Sequence, residues 1–377
     1  MELNLNPFNL ILFIGIIQGF TFGLLFFFVK RQEKYANRFL GAMLFVFALY
    51  LSWVVLIDTR IAYQNPDILY FPFSFILTLG PSIYFYTLSL TDARFRFSSK
   101  EWWHYSPVLL ELIFHIFSVR ESALSDIPTF ETSIFFTFSP IIQLLGIISI
   151  TTYSILSIRK IGHYEKWLSN EHANELPFSF SWLKKLLIGY AIIWLMWVPY
   201  TFVDFFFFDW MLSIKAYYPI YLFLSFFTLW IALEAYRRPE VTLRYAPRKE
   251  PNKNPSEDIQ SIKEQAQHIQ TLVEREEYFL QSDLSLSSLA EAIQYSPNVL
   301  SRIINNGLEK NFSDFVNEFR VERMKKLLHS DQYDHFTTEG IAYECGFNSR
   351  ATAIRTFKKF TKMSPNQFRK SLKEQTV

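Results

Sequence analysis

The sequence predicts an all-α protein in two parts: a bundle of seven membrane-spanning helices, then a cytoplasmic part with two helix-turn-helix units. Three observations predict it. Apolar runs of about 20 residues, long enough to cross hydrocarbon at about 1.5 Å per residue, recur up to Tyr236. Basic residues gather in alternate connections between those runs. After Tyr236 the chain becomes charged, all nine Trp lie behind it, and two similar blocks of short helix, turn and helix follow. The mean hydropathy of +0.11 and the net charge of +2 are averages over these unlike halves. A single soluble domain and a disordered chain are excluded. One cysteine, Cys345, excludes an intramolecular disulfide framework and any multi-cysteine zinc site. No metal and no cofactor are expected, and no catalytic residues: the chain lacks His-Glu-x-x-His, Gly-x-Ser-x-Gly and Walker patterns.

The membrane domain, residues 1–236, contains seven runs. They are Phe8 to Val29, Phe39 to Ile57, Ile68 to Leu90, Trp102 to Val119, Ser133 to Ile158, Leu186 to Phe208 and Ala216 to Tyr236. A soluble buried helix seldom stays apolar all round for so long, least of all repeatedly. The fourth run carries Glu111 and His115, and the fifth is long enough to tilt or to extend past the bilayer. The first has no basic start and no Ala-x-Ala site before Lys30, so it reads as a retained span rather than a signal peptide. Trp102, Trp103, Trp182, Trp210, Tyr35 and Tyr236 sit near run ends, as interfacial aromatics do.

Charge sets the orientation. The first, third and fifth connections hold Lys30, Arg31, Lys34, Arg38, Arg94, Arg96, Lys100, Arg159, Lys160, Lys166, Lys184 and Lys185. The others hold only Arg60, Arg120 and Lys215. The positive-inside rule then places the amino terminus outside and, after seven crossings, the carboxyl-terminal part in the cytoplasm of a multi-pass inner-membrane protein.

Ionisable groups inside spans are expensive and often functional. Glu111 and His115, four apart and therefore on one helix face, together with Asp204, form a candidate sensor site for a ligand or proton. The plainer alternative for them, and for Asp209, Gln143 and Gln18, is interhelical hydrogen bonding or snorkelling.

Residues 237–256 hold Pro239, Pro247, Pro251 and Pro255 among charges, which reads as an extended linker. Residues 257–281 read as an amphipathic helix capped by Ser256, with Ile259, Ile262, Ala266, Ile269 and Val273 in a stripe of 3–4 spacing. Two readings stay open. Ile259, Ile262, Ile269 and Val273 pair two chains as a short coiled coil, making a homodimer, or the helix packs on its own domain.

Residues 282–372 hold the two blocks. Leu286 to Ile293 and then Ser296 to Ile304 form the first; Thr337 to Cys345 and then Asn348 to Phe360 form the second. Each places a small Ala in a short helix, a turn, and a capped second helix, the spacing of helix-turn-helix units. Ser296 before Pro297 is a helix start, and Gly346 suits a turn. Between the blocks, Phe312, Phe315, Val316, Phe319, Val321, Met324, Leu327 and Leu328 mark one connecting helix.

These motifs carry a resemblance. From about Leu280 to Lys370 the chain resembles the DNA-binding domain of the AraC/XylS family of transcription regulators. The match rests on Leu289-Ala290, on Ser296-Pro297-x-x-Leu300-Ser301-Arg302, and on Phe319-Arg320-Val321-x-Arg323 followed by Leu327-Leu328. It continues with Ile341-Ala342-x-x-x-Gly346-Phe347 and Arg355-x-Phe357-Lys358-Lys359-Phe360, and ends on Ser364-Pro365-x-x-Phe368-Arg369. The resemblance implies seven helices in two subdomains joined by a long helix, each placing one helix in the major groove of double-stranded DNA. It assigns base contacts to Asn298, Ser301 and Arg302, and to Arg350, Ala351, Thr352 and Arg355. Phosphate contacts fall to Lys358, Lys359, Lys362 and Arg369. Arg320 is expected to support the connecting helix through ion pairs, and Cys345 to be a buried structural thiol. The chain departs from the family at Ala353, where a larger apolar residue is usual, at Gly340 inside a short helix, and at Gln294 in place of a turn glycine. Gly80-Pro81-Ser82-Ile83-Tyr84-Phe85-Tyr86 and His104-Tyr105-x-Pro107 resemble strings of membrane-bound relatives of that family.

The expected function is a membrane-bound one-component regulator, its DNA binding controlled by an unknown small-molecule or membrane-derived signal. Spans six and seven with the linker are expected to carry that signal. The alternative is a transporter or membrane enzyme with an autoregulatory DNA-binding tail.

Overall fold

The structure is a computed structural model that describes residues 5–28, 34–174, 180–208, 212–236 and 259–375. The linker at 237–256, Ser256, Asp209 and Trp210 lie outside the described residues. The described residues are helical, with no strand among them. They form two compact units, one of Met1–Gly162 with Phe180–Arg244, the other of His163–Ser179 with Tyr245–Val377.

The first unit holds α1 (Pro7–Phe28), α2 (Lys34–Asp58), α3 (Ile61–Gln64), α4 (Leu79–Thr91), α5 (Ser99–Trp102) and α6 (Val108–Ser125). After these come α7 (Ser133–Glu171), whose residues from His163 onward belong to the second unit, α8 (Ser181–Phe207) and α9 (Tyr218–Tyr236). Among the described residues, five helices are long and apolar enough to cross a membrane: α1, α2, α7, α8 and α9. Their outward faces are apolar, with Leu10, Ile17, Ile148, Phe206 and Phe226 all exposed, which suits insertion into lipid rather than contact with water. Inside, a glycine row on α1 lets α2 approach closely; a Cβ on Gly19 would stand 2.8 Å from that of Ala48.

The other two runs differ from the expectation. The third is α-helical only over α4, about 20 Å at 1.5 Å per residue, with short 3-10 turns and the non-helical Phe71–Phe75 ahead of it. The fourth is α6, whose 18 residues include Glu111, His115, Arg120 and Glu121. The physical reason is local. Pro72 and Pro81 withhold backbone donors, and the polar groups of α6 take up backbone N–H groups that this irregular chain leaves open.

The second unit holds α10 (Ile259–Arg275), α11 (Leu286–Ala292), α12 (Pro297–Gly307), α13 (Phe312–His329), α14 (Thr338–Glu344), α15 (Arg350–Thr361) and α16 (Pro365–Gln375). Ala266, Ile269 and Val273 of α10 are fully buried in one core with Leu289, Ala290, Leu300, Ile303, Phe312 and Phe315. The stripe considered for pairing two chains is therefore spent inside this subdomain at Ile269 and Val273, while Ile262 is half-buried. A second core joins Val321, Met324, Leu328, Ile341, Ala342, Cys345, Phe347, Ala353 and Phe357. The connecting helix α13 contributes to both, so it is the spine of the unit.

Side-chain caps start the helices as the sequence demands. Ser285, Ser296, Asn311, Thr337 and Ser349 each accept a backbone N–H of the first turn that follows. The turn after α14 needs Gly346, at φ +83°, where a Cβ would stand 2.6 Å from the carbonyl of Phe279. The equivalent turn after α11 places Gln294 at φ +60°, a left-handed conformation that costs a side-chain-bearing residue about 1–2 kcal/mol. Gln294→Gly is expected to stabilise this subdomain by about 1 kcal/mol, after the extra chain entropy of glycine is subtracted. Amide exchange in α11 and α12 should slow about fivefold if the gain is realised.

Candidate nucleic-acid interface

Two helix pairs of the second unit have the same construction. In each, a short helix with a buried Ala (Ala290 in α11, Ala342 in α14) is followed by a tight turn and a capped second helix. In the turns, Tyr295 N donates to Ala290 O at 2.8 Å and Phe347 N to Ala342 O at 3.1 Å. The second helices are α12 and α15.

On α12, Leu300, Ile303 and Ile304 face the core, leaving Asn298, Ser301, Arg302 and Asn305 half-exposed on the other side. Asn305 donates to Ser301 Oγ at 3.2 Å. On α15, Ala353, Thr356 and Phe357 are buried, and Arg350, Ala351, Arg355 and Lys358 are exposed along one face. Six of the seven residues assigned to base contact therefore lie on outward faces of the two helices.

Thr352 does not. It is 1% exposed, its hydroxyl lies 2.9 Å from Ser349 Oγ, and its N–H donates to that oxygen at 3.2 Å. It belongs to the cap of α15, and no base edge can reach it there. The register is the reason: position 352 falls next to Ala353 on the inward side of the helix.

The residues assigned to phosphate also divide. Lys358 and Lys362 are exposed, the latter as the left-handed C-cap of α15. Lys359 forms an ion pair with Asp314 of α13, tying the second core to the connecting helix. Arg369 donates to the carbonyls of Phe336 at 2.9 Å and Tyr333 at 2.8 Å, so its guanidinium anchors α16 to the loop before α14. Carbonyl acceptors in a loop leave no mark in a sequence, which is why this role was hidden.

Arg320 corrects an expectation. It has no exposed surface, and the oxygens that accept from it are neutral carbonyls and amides rather than carboxylates. Nε donates to Phe279 O at 2.7 Å and Nη2 to Gln281 O at 2.7 Å, while Nη1 reaches the amide oxygens of Asn174 and Asn317 at 3.2 and 3.4 Å. The guanidinium also lies 5.7 Å from the Phe347 ring centre. Burial lowers its pKa to about 10, so it stays cationic at neutral pH. A signal was present: Arg320 stands four residues from both Val316 and Met324, on the buried face of α13.

In the first unit, Glu111 is 4% exposed and accepts from the backbone N–H groups of Ile76 at 2.8 Å and Leu77 at 3.0 Å. His115 Nε2 donates to Tyr70 O at 3.0 Å. Both line a cavity of about 70 Å³ with Ser74, Ser118 and Thr129, room for two or three waters. Asp204 is not among its lining residues; it accepts from Leu212 N and the Tyr217 hydroxyl, each at 2.8 Å. Glu121, which the sequence reading passed over, accepts from Ser133 N and Ile134 N and so caps α7.

Residues 289–371 match the family model of a helix-turn-helix domain. A Staphylococcus aureus protein described as an uncharacterized HTH-type transcriptional regulator is 38% identical over 94 residues. An Escherichia coli protein with the same description, YijO, is 34% identical over 94 residues. That stretch is 25% of this chain, 12% of the Staphylococcus aureus protein and 32% of the Escherichia coli one, so the likeness covers a minor part of each. No solved structure matches the chain. The carboxyl-terminal unit is thus a helix-turn-helix domain, of the AraC type that its motifs resemble. That domain type supports a DNA-binding function for this unit.

Cys345 is fully buried, and burial raises its thiol pKa to about 12. Its alkylation by a maleimide at pH 8 is expected to be limited by opening of the second core, and to speed up when Arg369→Ala releases α16. A reaction as fast as that of a free thiol in the folded protein would contradict this placement.

Proposed function

We propose that the chain is a membrane-bound one-component transcription regulator whose two helix pairs read adjacent major-groove segments of double-stranded DNA. The observation that carries the reading is the exposed face of α15, where Arg350, Ala351, Arg355 and Lys358 align on a helix whose other side is locked in the core. Arg350 and Arg355 suit guanine edges, and Asn298 with Arg302 suits adenine and guanine beside α12. Lys358 and Lys362 suit phosphates. Fourteen basic residues against eleven acidic ones from Asp283 onward make a modest positive field for this task.

The membrane part supplies location and control. Seven crossings, with the amino terminus outside, keep the basic connections and the DNA-binding unit together in the cytoplasm of an inner-membrane protein. The third crossing is a broken one: α4 is short, and Glu111 satisfies the irregular backbone beside it, the condition under which non-helical chain is tolerated at membrane depth. The cavity at Glu111 and His115 is the candidate sensing site for a small polar ligand, and Asp204 a separate structural cap. Two chains on one operator would gain from effective concentration, through surfaces other than Ile269 and Val273.

Footprinting the full chain in lipid nanodiscs against genomic DNA tests the reading. Arg355→Ala should lose sequence-specific protection, at a cost of about 1–3 kcal/mol. Lys358→Ala should weaken binding to all sequences alike and flatten the salt dependence by about one ion. A footprint that survives Arg355→Ala unchanged would rule out α15 as a reading helix.

A further inference from the structure

One part of the DNA-binding unit comes from far away in the chain. Residues His172–Asn174 follow α7 directly and pack in the same unit as α10 to α16. Ala173 is 1% exposed and belongs to the core of the first helix pair, with Leu284, Leu286 and Phe312. Its N–H donates to Leu284 O at 3.3 Å, and His172 bridges Ser285 in antiparallel fashion. Its carbonyl accepts from Ser313 Oγ at 3.2 Å and from Asn317 Nδ2 at 2.9 Å. Asn174 accepts from Arg320 Nη1 at 3.2 Å and donates to Ser282 O.

Four of these partners, Ser285, Ser313, Asn317 and Arg320, have a task in the fold of the helix pair. Ser285 is the N-cap of α11. Ser313 and Asn317 are buried polar residues of α13, and the carbonyl of Ala173 receives both. Arg320 ties α13 to Phe279 and Gln281, and Asn174 meets one of its remaining donors. Removing the strap would therefore leave a hole at Ala173 and unpaired donors on Ser313, Asn317 and Arg320 in a dry interior, each expensive. A surface loop that merely rested on the unit would not enter its core.

We propose that His172–Asn174 is a built-in ligand of the first helix pair, required for its DNA-competent form, and that α7 acts on DNA binding through it. The proposal rests on the DNA-binding reading and adds the route of control. α7 runs unbroken from Ser133 to Glu171, and its apolar stretch is among those able to cross a membrane. A shift or rotation at its end reaches the cap of α11 and the Arg320 hub within three residues. This route runs through the connection between the fifth and sixth runs, not through the sixth and seventh spans and the linker that the sequence suggested.

The test uses the full chain in lipid nanodiscs with two variants, Ala173→Asp and Asn174→Ala. Two quantities are read: amide exchange across Leu284–Ile293 with α15 as internal control, and affinity for a duplex of roughly 40 base pairs, room for more than one half-site, that the wild type selects from a random pool. Ala173→Asp is expected to speed exchange at Leu284–Ile293 about tenfold or more, leave α15 unchanged, and lower affinity about tenfold. Asn174→Ala should move both in the same direction by a smaller factor, and it decides the matter if Ala173→Asp unfolds α15 as well. Unchanged exchange in both variants would overturn the docking. Faster exchange with equal or higher affinity would overturn the requirement and make the strap passive or inhibitory. A wild type that selects no duplex would overturn the DNA reading instead, while exchange would still decide whether the strap is docked.

Discussion

A guanidinium taken wholly out of water costs several kcal/mol unless its donors are met, and in this protein that cost is met by one set of oxygens around Arg320. The acceptors are the carbonyls of Phe279 and Gln281, ahead of α11, and the amides of Asn317 on α13 and Asn174 beyond α7. The ring of Phe347, in the turn of the second helix pair, closes one side. Four stretches of chain thus converge on one cation. The connecting helix cannot rotate about its axis without stranding that charge, and both helix pairs are carried on the connecting helix. Their spacing is set by this one buried group and the two cores on either side of it.

The first unit, whose apolar outward faces suit lipid, meets a related problem. Lipid offers no partners to a backbone that leaves the helix, so each break must be satisfied from within. Glu111 accepts from Ile76 and Leu77 where the third run is irregular, Glu121 from Ser133 and Ile134 where α7 begins, and Asp204 from Leu212 where α8 gives way to α9. Glu111 and Asp204, which look like sensing residues in a sequence, act as caps in the structure. The two roles coincide at Glu111, because its cap lies on a small, largely aromatic-lined cavity beside His115.

Much of the fold was legible beforehand because it depends on periodicity and local chemistry. The runs at Phe8, Phe39, Ser133, Leu186 and Ala216 correspond to helices long and apolar enough to span. Ser296 caps α12, with Pro297 at its first position, and Gly346 holds a positive φ, both as their residue types require. The outward set on α12 and α15 followed from motif positions, except at Thr352. What was not legible depends on partners far away in the chain. Lys359 and Arg369 look like phosphate ligands until Asp314 and the carbonyls of Tyr333 and Phe336 appear beside them. The stripe on α10 has the same pattern whether it faces a second chain or its own core.

The sequence by itself determined which residues avoid water, where helices start, and that two short helix pairs with helix-turn-helix spacing follow the apolar runs. These follow from side-chain chemistry within a few residues, and from the spacing of one helical turn. Only the tertiary structure decided that α10 is part of the DNA-binding core, that the third run is broken, and that Ala173 and Asn174 belong among residues more than a hundred positions away. The physical reason is that a buried hydrogen bond constrains its two ends in space while leaving the intervening sequence free. Nothing in His172-Ala173-Asn174 read alone marks it as the complement of Arg320.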